Sequence, residues 1–229
     1  MFPLTEPDTV RTVRSGAERF YWRIIRILQD LAALPHLQIG GDASAKEGWR
    51  IAVSMIYGFT KDREKAWEII EKLGLCSEQE SKVQFTMADR KINAVMSTSA
   101  GRLFDAVSAI LGIRRQSSFE GEASTALQFA AETFERRLQS DCIHEQAAEA
   151  DFECMLYRKQ TTENLSVSDV SCILNTEALV QQIVTAKLQG TDSGALAYLF
   201  HQTLAEQIVA VCIEARKSSG RNKAALSGG

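Results

Sequence analysis

The chain has 229 residues, of which 45% are hydrophobic and 24% charged, and its formal net charge is −3. This balance is typical of one sizeable globular domain or two small ones, and the slight negative charge argues against a nucleic-acid partner held by bulk electrostatics. No apolar run approaches the length of a bilayer span, and the charged N-terminus does not resemble a secretion signal. We therefore expect neither a nucleic-acid partner nor a membrane.

The cysteines and histidines are too scattered for a disulfide framework or a metal site. No C-x-x-C pair occurs, and the histidines form no i, i+4 pair. We expect isolated thiols in a cytoplasmic protein and no metal site. The residues concerned are Cys76, Cys142, Cys154, Cys172, Cys212, His36, His144 and His201.

Residues 20–34 carry apolar side chains at helical spacing, opposite a face with several arginines. This spacing predicts an amphipathic helix that Pro35 ends. Its basic face is either a solvated surface or a contact for an acidic partner.

A glycine turn then leads into a second predicted helix, over residues 43–57, for which Asp42 is the candidate N-cap. Near the start of this helix, Arg50 has two interpretations. It pairs with Glu47 one turn earlier, or it reaches a phosphate in a cleft. The pairing is the simpler interpretation, since a lone arginine is a weak signal.

Two further helices are predicted, over residues 62–73 and residues 77–93. The second is less regular, and its inward residues are expected to be Val83, Met87 and Ile92.

The stretch T-S-A-G-R-L-F-D-A-V at residues 98–107 opens the next helix, with Ser99 as its N-cap. Arg102 and Asp105 lie off its apolar stripe, one turn apart. They either form a surface ion pair worth about 0.2–0.5 kcal/mol, or Asp105 is an acid above a cleft beside a helix start that favours phosphate. The apolar stripe comprises Leu103, Phe104, Val107, Ile110 and Leu111.

The rest of the chain alternates short strands with long helices. A helix follows residues 119–123, two short strands cover residues 152–158 and 170–174, and helices begin near residues 175 and 195. His201 lies in the last helix among apolar neighbours, which favours a packing role over a catalytic one.

Five blocks, in order, resemble the HypF carbamoyltransferase family of nickel-iron hydrogenase maturation. They read G-G-D-A-S-A-K-E-G-W-R, T-S-A-G-R-L-F-D-A-V, F-E-G-E-A, F-H-Q-T-L-A and A-L-S-G-G. Gly48 stands where the family usually has proline, a change expected to lose only local stiffening. The resemblance implies a predominantly helical α/β fold with few short strands. It also implies that the fold is part of an actin, sugar-kinase and Hsp70-like lobe.

The resemblance implies a nucleotide site for ATP or carbamoyl-adenylate. Asp105 would accept hydrogen bonds from ribose hydroxyls, Gly121 would permit a close backbone approach, and the terminal S-G-G would cradle phosphate. The family has an acid at the position of Gln128, and an amide there binds a sugar hydroxyl without charge. The metal ligands of the family are absent, and no catalytic residue is identified. The predicted nucleotide contacts are Gly101, Arg102, Asp105, Gly121, Gln128, Ser227, Gly228 and Gly229.

The resemblance covers residues 40–229, and residues 1–39 are expected to be a helical segment without a family match. It implies transfer of a carbamoyl group from carbamoyl-adenylate to the C-terminal cysteine of a HypE-like acceptor. The alternative is a non-catalytic helical remnant that acts as a protein-interaction module, with a sheet edge prone to self-association. A tRNA-modifying role, as in TsaD-type relatives, fits the motifs less closely.

Overall fold

The structure is a computed structural model that describes residues 19–24, 27–33, 36–39, 41–97, 99–141, 158–159, 172–173, 176–220, 223 and 225–227. The helices are α1 (Gly48–Thr60), α2 (Arg63–Lys72), α3 (Glu78–Arg90), α4 (Ala100–Ile110), α5 (Glu122–Asp141), α6 (Thr176–Leu188) and α7 (Ser193–Ser219). A 3-10 turn over Gly41–Ala45 precedes α1. The strands are β1 (Arg19–Ile24), β2 (Ile27–Ala33), β3 (His36–Ile39), β4 (Ala94–Ser97), β5 (Arg158–Lys159), β6 (Cys172–Ile173) and β7 (Ala225–Ser227).

The described strands form two small sheets beside the helices. One sheet has the order β5-β6-β2-β1-β7, and β3 pairs with β4 in the other. All pairs are antiparallel except β2 with β6, which is parallel. The predicted mainly helical fold with few short strands is confirmed.

The helix predicted over residues 20–34 is wrong, because this stretch forms β1 and β2. The two strands pair with each other, and β1 also pairs with β7, so that Arg19 lies opposite Ser227. The pairing of β1 with the distant β7 leaves no trace in the local spacing of apolar residues. A short apolar run also fits a helix or a strand equally well. Tertiary pairing therefore overrides the apparent helical pattern.

The helices predicted to begin near residues 62, 77 and 99 begin there, each with a capping side chain. Asp62 accepts hydrogen bonds from two backbone amides at the start of α2. Ser77 and Glu80 form a reciprocal capping box at the start of α3. The Ser99 hydroxyl accepts from the Arg102 amide at 3.4 Å, which confirms it as the N-cap of α4.

Helix α1 begins five residues later than predicted. Residues 41–45 form the 3-10 turn instead, and its buried Ser44 hydroxyl donates to the Gly41 carbonyl at 2.6 Å. Asp42 consequently lies inside the turn, and the N-cap of α1 is Glu47, which makes no side-chain capping bond.

The helix predicted over residues 77–93 ends at Arg90, and its predicted inner face is wrong at Val83 and Ile92, whereas Met87 is half-buried. Val83 is 55% exposed and Ile92 is 48% exposed, whereas Gln84 and Phe85 are buried. The pattern of this helix is weakly amphipathic, and packing of Phe85 against Tyr57 of α1, at 4.6 Å between ring centroids, decides which side faces inward.

Helices α1 and α4 form the centre of the core. Both have nearly continuous buried surfaces, and α5, α6 and α7 pack around them. Interiors packed this densely tolerate little change in volume. The largest fully buried side chains are Trp49, Ile51, Ile56, Ile70, Leu75, Leu103, Ile110, Leu111, Leu127 and Phe200.

One described segment, residues 193–213 of α7, is long and apolar enough to cross a membrane by length and composition. This corrects the expectation that no run approaches that length. Its buried residues include Leu196, Phe200 and Leu204, which belong to the core cluster. Core helices commonly satisfy the same criterion.

Gly48 lies at the point where α1 comes closest to α4. A Cβ atom at this position would lie 2.6 Å from the Asp105 carbonyl oxygen and 3.1 Å from the Asp105 Cβ. The glycine therefore permits close approach of the two helices. The expectation that it only removes local stiffening is wrong for this chain.

We expect Gly48→Ala to lower the free energy of unfolding by about 1–3 kcal/mol, because the added methyl overpacks the contact between the helices. Gly58→Ala is the matched control in the same helix, where a Cβ meets nothing within 4 Å. The control should raise stability by about 0.5–1 kcal/mol through helix propensity. Urea unfolding of both variants is the measurement, and equal effects would contradict the packing account.

Candidate functional site

The first turns of α4 carry the acid on which the site prediction depends. Asp105 is only 5% exposed, and its Oδ2 atom lies 3.2 Å from Nη2 of Arg102. The predicted pair exists, but it does not lie on a solvated surface. Burial makes this carboxylate unlike an ordinary surface acid.

Arg102 makes a second contact outside its own helix. Its Nη1 atom donates to the Ala45 carbonyl oxygen at 2.6 Å. One guanidinium group therefore joins α4 to the end of the 3-10 turn. No sequence motif indicates this contact, since its acceptor is a backbone carbonyl.

Burial raises the pKa of Asp105 from 3.8 to about 6, and the Arg102 charge opposes this rise. Desolvation disfavours the carboxylate more than the single guanidinium favours it. A shifted acid at a helix start suits a binding or catalytic site, although structural ion pairs shift pKa values too.

Gly121 ends the loop before α5 in a left-handed conformation, with φ of +81°. A Cβ there would find only the Ser124 hydroxyl within 4 Å, at 3.8 Å, so the space beside it is open. The next residue, Glu122, accepts from the Ser118 amide and hydroxyl at 2.5 and 2.9 Å. These bonds lower the pKa of Glu122 and hold the loop in place.

A cleft of about 380 Å³ lies between α5 and α7. Gln128 faces it and donates from Nε2 to Oε1 of Glu132 at 2.7 Å. Its lining residues are Gln128, Ala131, Glu132, Glu135, Tyr198, His201 and Gln202.

His201 packs at the edge of this cleft. Its Nδ1 atom lies 2.7 Å from the Ala197 carbonyl oxygen, so that this nitrogen carries the proton. Its ring meets Phe104 and Phe200 edge-on, with centroids 5.3 and 5.5 Å away. These contacts support the packing interpretation.

Arg50 follows the simpler of its two interpretations, because its Nε atom donates to the Glu47 carboxylate. Its guanidinium also lies over the Trp49 ring, at 4.6 Å from the centroid. Arg115 lies near the same ring at 5.5 Å, a contact that sequence patterns do not indicate.

The two thiols whose surroundings the structure describes, Cys76 and Cys212, are poor nucleophiles. Burial raises the pKa of Cys76 to about 11 and that of Cys212 above its ordinary value. The thiolate is the reactive form, so neither residue reacts readily at neutral pH. Within the described ranges, no group of three His, Cys, Asp or Glu side chains is placed to hold a metal ion.

The predicted nucleotide contacts are not gathered into one pocket in the part of the chain that the structure describes. Gly101, Arg102 and Asp105 share the start of α4, whereas Gln128 lines the cleft between α5 and α7. Ser227 ends β7, and residues 228–229 lie outside the described residues. The complete set stays a prediction.

Two solved structures share this fold. A full-length HypF, crystallised in a phosphate- and nucleotide-bound form, aligns with a TM-score of 0.65 and 21% identity, over 86% of this chain and 22% of that chain. The HypF of T. kodakarensis aligns with a TM-score of 0.62 and 20% identity, over 88% of this chain and 24% of that chain. A family model described as "Carbamoyltransferase, Kae1-like Domain, second subdomain" matches residues 16–229. This match identifies the chain as the second subdomain of a Kae1-like domain.

The chain belongs to the HypF carbamoyltransferase family. A carbamoyltransferase HypF homolog of Cupriavidus necator is 29% identical over 203 residues, covering 86% of this chain and 46% of the relative. A probable carbamoyltransferase HypF of Methanocaldococcus jannaschii is 25% identical over 192 residues, covering 84% of this chain and 22% of the relative. The chain thus spans less than half the length of these relatives. The match also takes in residues 16–39, which show no family motif by themselves.

We expect the stability of the chain to depend on the ionisation of Asp105. An acid whose folded pKa exceeds its unfolded value holds its proton more tightly in the folded state, so its contribution to stability is lost as pH rises from about 4 to about 6. The Asp105→Asn variant has no carboxyl group to ionise at this position, so it does not lose stability in this way as pH rises. Relative to the parent chain, the variant should gain up to about 3 kcal/mol in the free energy of unfolding between pH 4 and pH 7.

Urea unfolding of both proteins across this pH range is the measurement. Asp89→Asn is the control, because Asp89 is an exposed acid whose pKa is lowered by Arg63, so its dependence on pH has the opposite sign. A difference between Asp105→Asn and the parent that does not vary with pH would contradict the account.

Proposed function

We propose that this chain is part of the nucleotide-binding, carbamoyl-transferring lobe of a HypF carbamoyltransferase. The lobe would transfer a carbamoyl group from carbamoyl-adenylate to the C-terminal cysteine of a HypE-like acceptor during maturation of nickel-iron hydrogenase. The family match supports this proposal, as does the fold shared with a HypF solved in a nucleotide-bound form. We also assign the fold to the actin, sugar-kinase and Hsp70-like class.

The observation that carries the proposal is the buried carboxylate of Asp105 in the second turn of α4. Above its pKa of about 6 this group is an acceptor without a proton, which suits the vicinal hydroxyls of a ribose. The open backbone at Gly121 leaves room for a sugar beside the loop. Gln128 would contribute an amide, and the residues after β7 would meet phosphate.

The proposed contribution to catalysis is positioning. Burial raises the pKa of the Cys76 and Cys212 thiols, so neither of these two described thiols is an evident nucleophile at neutral pH. Holding the carbamoyl donor beside the acceptor thiol converts a bimolecular encounter into an oriented reaction within the complex. Backbone amides aimed at developing negative charge would supply the remaining stabilisation.

Calorimetric titration with ATP, ADP and a carbamoyl-adenylate analogue tests the proposal. We expect saturable binding at pH 7.5 and a loss of about 10- to 100-fold in affinity for Asp105→Asn, since a charged acceptor is worth about 1.5–3 kcal/mol. The thermal midpoint of the variant should not fall. Asp89→Asn should bind as the parent does, because its carboxylate pairs with Arg63 on the surface.

Absence of saturable heat with all three ligands would overturn this function. It would leave the second candidate, a non-catalytic module for protein contact.

Exposed apolar residues on α3 and β4 favour that second candidate. Val83 of α3 is 55% exposed and Val95 of β4 is 58% exposed. Within the described residues, β4 pairs only with β3 and so leaves one edge open. An open edge with exposed apolar side chains invites pairing with another chain.

We expect the chain to self-associate with rising concentration, and Val95→Lys to reduce this association, because a lysine on an edge strand opposes edge-to-edge pairing. Sedimentation velocity over a hundredfold concentration range is the measurement. Val209→Lys, at an equally exposed valine on α7, is the control. A purely monomeric parent, or equal effects of the two lysines, would contradict the role of the edge.

A further inference from the structure

The Arg102 side chain connects two segments that lie 57 positions apart in the sequence. Nη1 donates to the Ala45 carbonyl oxygen at 2.6 Å, while Nη2 lies 3.2 Å from Oδ2 of Asp105. The Arg102 side chain is 16% exposed, so its contact with the buried Asp105 is largely shielded from water, whereas the bond to Ala45 lies at the surface. A planar guanidinium can make two such contacts at once because its donors form a rigid fork.

We propose that Arg102 is a positioning residue of the nucleotide site, which orients Asp105 and holds the turn Gly41–Ala45 as a wall beside it. This inference rests on the proposed function. It also changes the role expected of Arg102, from a direct contact of the nucleotide to the group that arranges the residues around it.

The engaged donors of Arg102 argue for this role over direct phosphate binding. A phosphate ligand that replaced the Asp105 carboxylate on Arg102 would leave this buried acceptor without its partner. An unsatisfied buried polar group costs about 1–3 kcal/mol. Arg102 is therefore better suited to hold the site than to contact phosphate.

Helix α1, which follows the turn, meets α4 at a second point. The Ser44 hydroxyl bonds the Gly41 carbonyl within the turn, and three residues after the turn Gly48 packs directly on the Asp105 backbone. The backbone of Asp105 is thus placed by Gly48 and its side chain by Arg102. Loss of Arg102 would free the carboxylate and the turn while leaving the helix contact in place.

The charge of Arg102 also affects the pH at which Asp105 ionises. Burial raises the pKa of Asp105, and among the described residues Arg102 is the one charged group that acts against this rise. Gly48 of α1, which packs on the Asp105 backbone, carries no charge. Without the guanidinium, the carboxylate would remain protonated to higher pH and would lose its capacity as a pure acceptor.

The experiment compares adenosine-nucleotide affinity against pH for the 229-residue chain and its variants Arg102→Met and Arg102→Lys. The probe is 5′-sulfamoyladenosine, an adenylate analogue without the phosphate that would itself titrate near pH 6. Fluorescence anisotropy competition or calorimetry from pH 5 to pH 8.5 gives each dissociation constant. Arg63→Met is the control, because it removes an exposed arginine that pairs with Asp89 instead.

The parent should bind more tightly as pH rises through about 6. For Arg102→Met we expect this midpoint to move up by about one pH unit, with affinity about fivefold weaker at pH 6 and the deficit narrowing at pH 8.5. Arg102→Lys keeps the charge but not the fork, so its midpoint should return towards that of the parent, with affinity several-fold weaker throughout. The control should match the parent.

Three outcomes separate the two proposals. Failure of the parent to bind any nucleotide would overturn the proposed function, and this inference with it. Binding by the parent, with Arg102→Met weakened equally at every pH, would overturn the inference alone, because a merely structural role has no such dependence on pH. An unchanged affinity in Arg102→Met would also overturn it.

Discussion

The close approach of α1 to α4 at Gly48 and Asp105 is the constraint on which the rest of the structure depends. It brings the backbones within a distance that leaves no room for a side chain at position 48. The same approach removes Asp105 from water, and a carboxylate moved into such surroundings requires a partner. Arg102 supplies that partner and attaches the preceding turn at the same time. The packing of α1 on α4, the Arg102–Asp105 ion pair and the position of the turn therefore all follow from this one close approach.

Local signals predicted the middle of the chain well. Ser77, Ser99 and Asp62 start their helices because a side-chain oxygen that satisfies free amides acts over three residues, within reach of sequence reasoning. The apolar stripe of α4 was predicted for a similar reason, since a sustained 3.6-residue period leaves few alternatives. The family resemblance, carried by blocks that include polar positions, is confirmed by the match over residues 16–229.

Features that depend on distant parts of the chain were not predicted. Strands β1 and β2 were interpreted as a helix, because their pairing with β6 and β7 is not visible in local spacing. The burial of Asp105 follows from a glycine 57 positions earlier, and the second bond of Arg102 goes to a backbone carbonyl that has no sequence signature. The structure shows that Asp105 of α4 is a buried acid. The nucleotide contacts, on α4 as well as at Gln128 and Ser227, stay a prediction.

The buried acid Asp105 and its partner Arg102 connect helix α4 to the turn before α1. The acid lies on a rigid core helix, so its orientation depends on buried contacts and not on a loop. Its partner arginine links that helix to the turn before α1, and a ligand that contacts one should therefore steady the other. Exposed apolar residues at β4 are a separate feature and do not bear on this coupling.

Hydrogen–deuterium exchange with and without ADP tests this coupling most directly, because it reports protection of each backbone segment. We expect ADP to slow amide exchange in both residues 41–48 and residues 99–106, because Arg102 joins these two segments. Slower exchange elsewhere in the chain, with both of these segments unchanged, would contradict it.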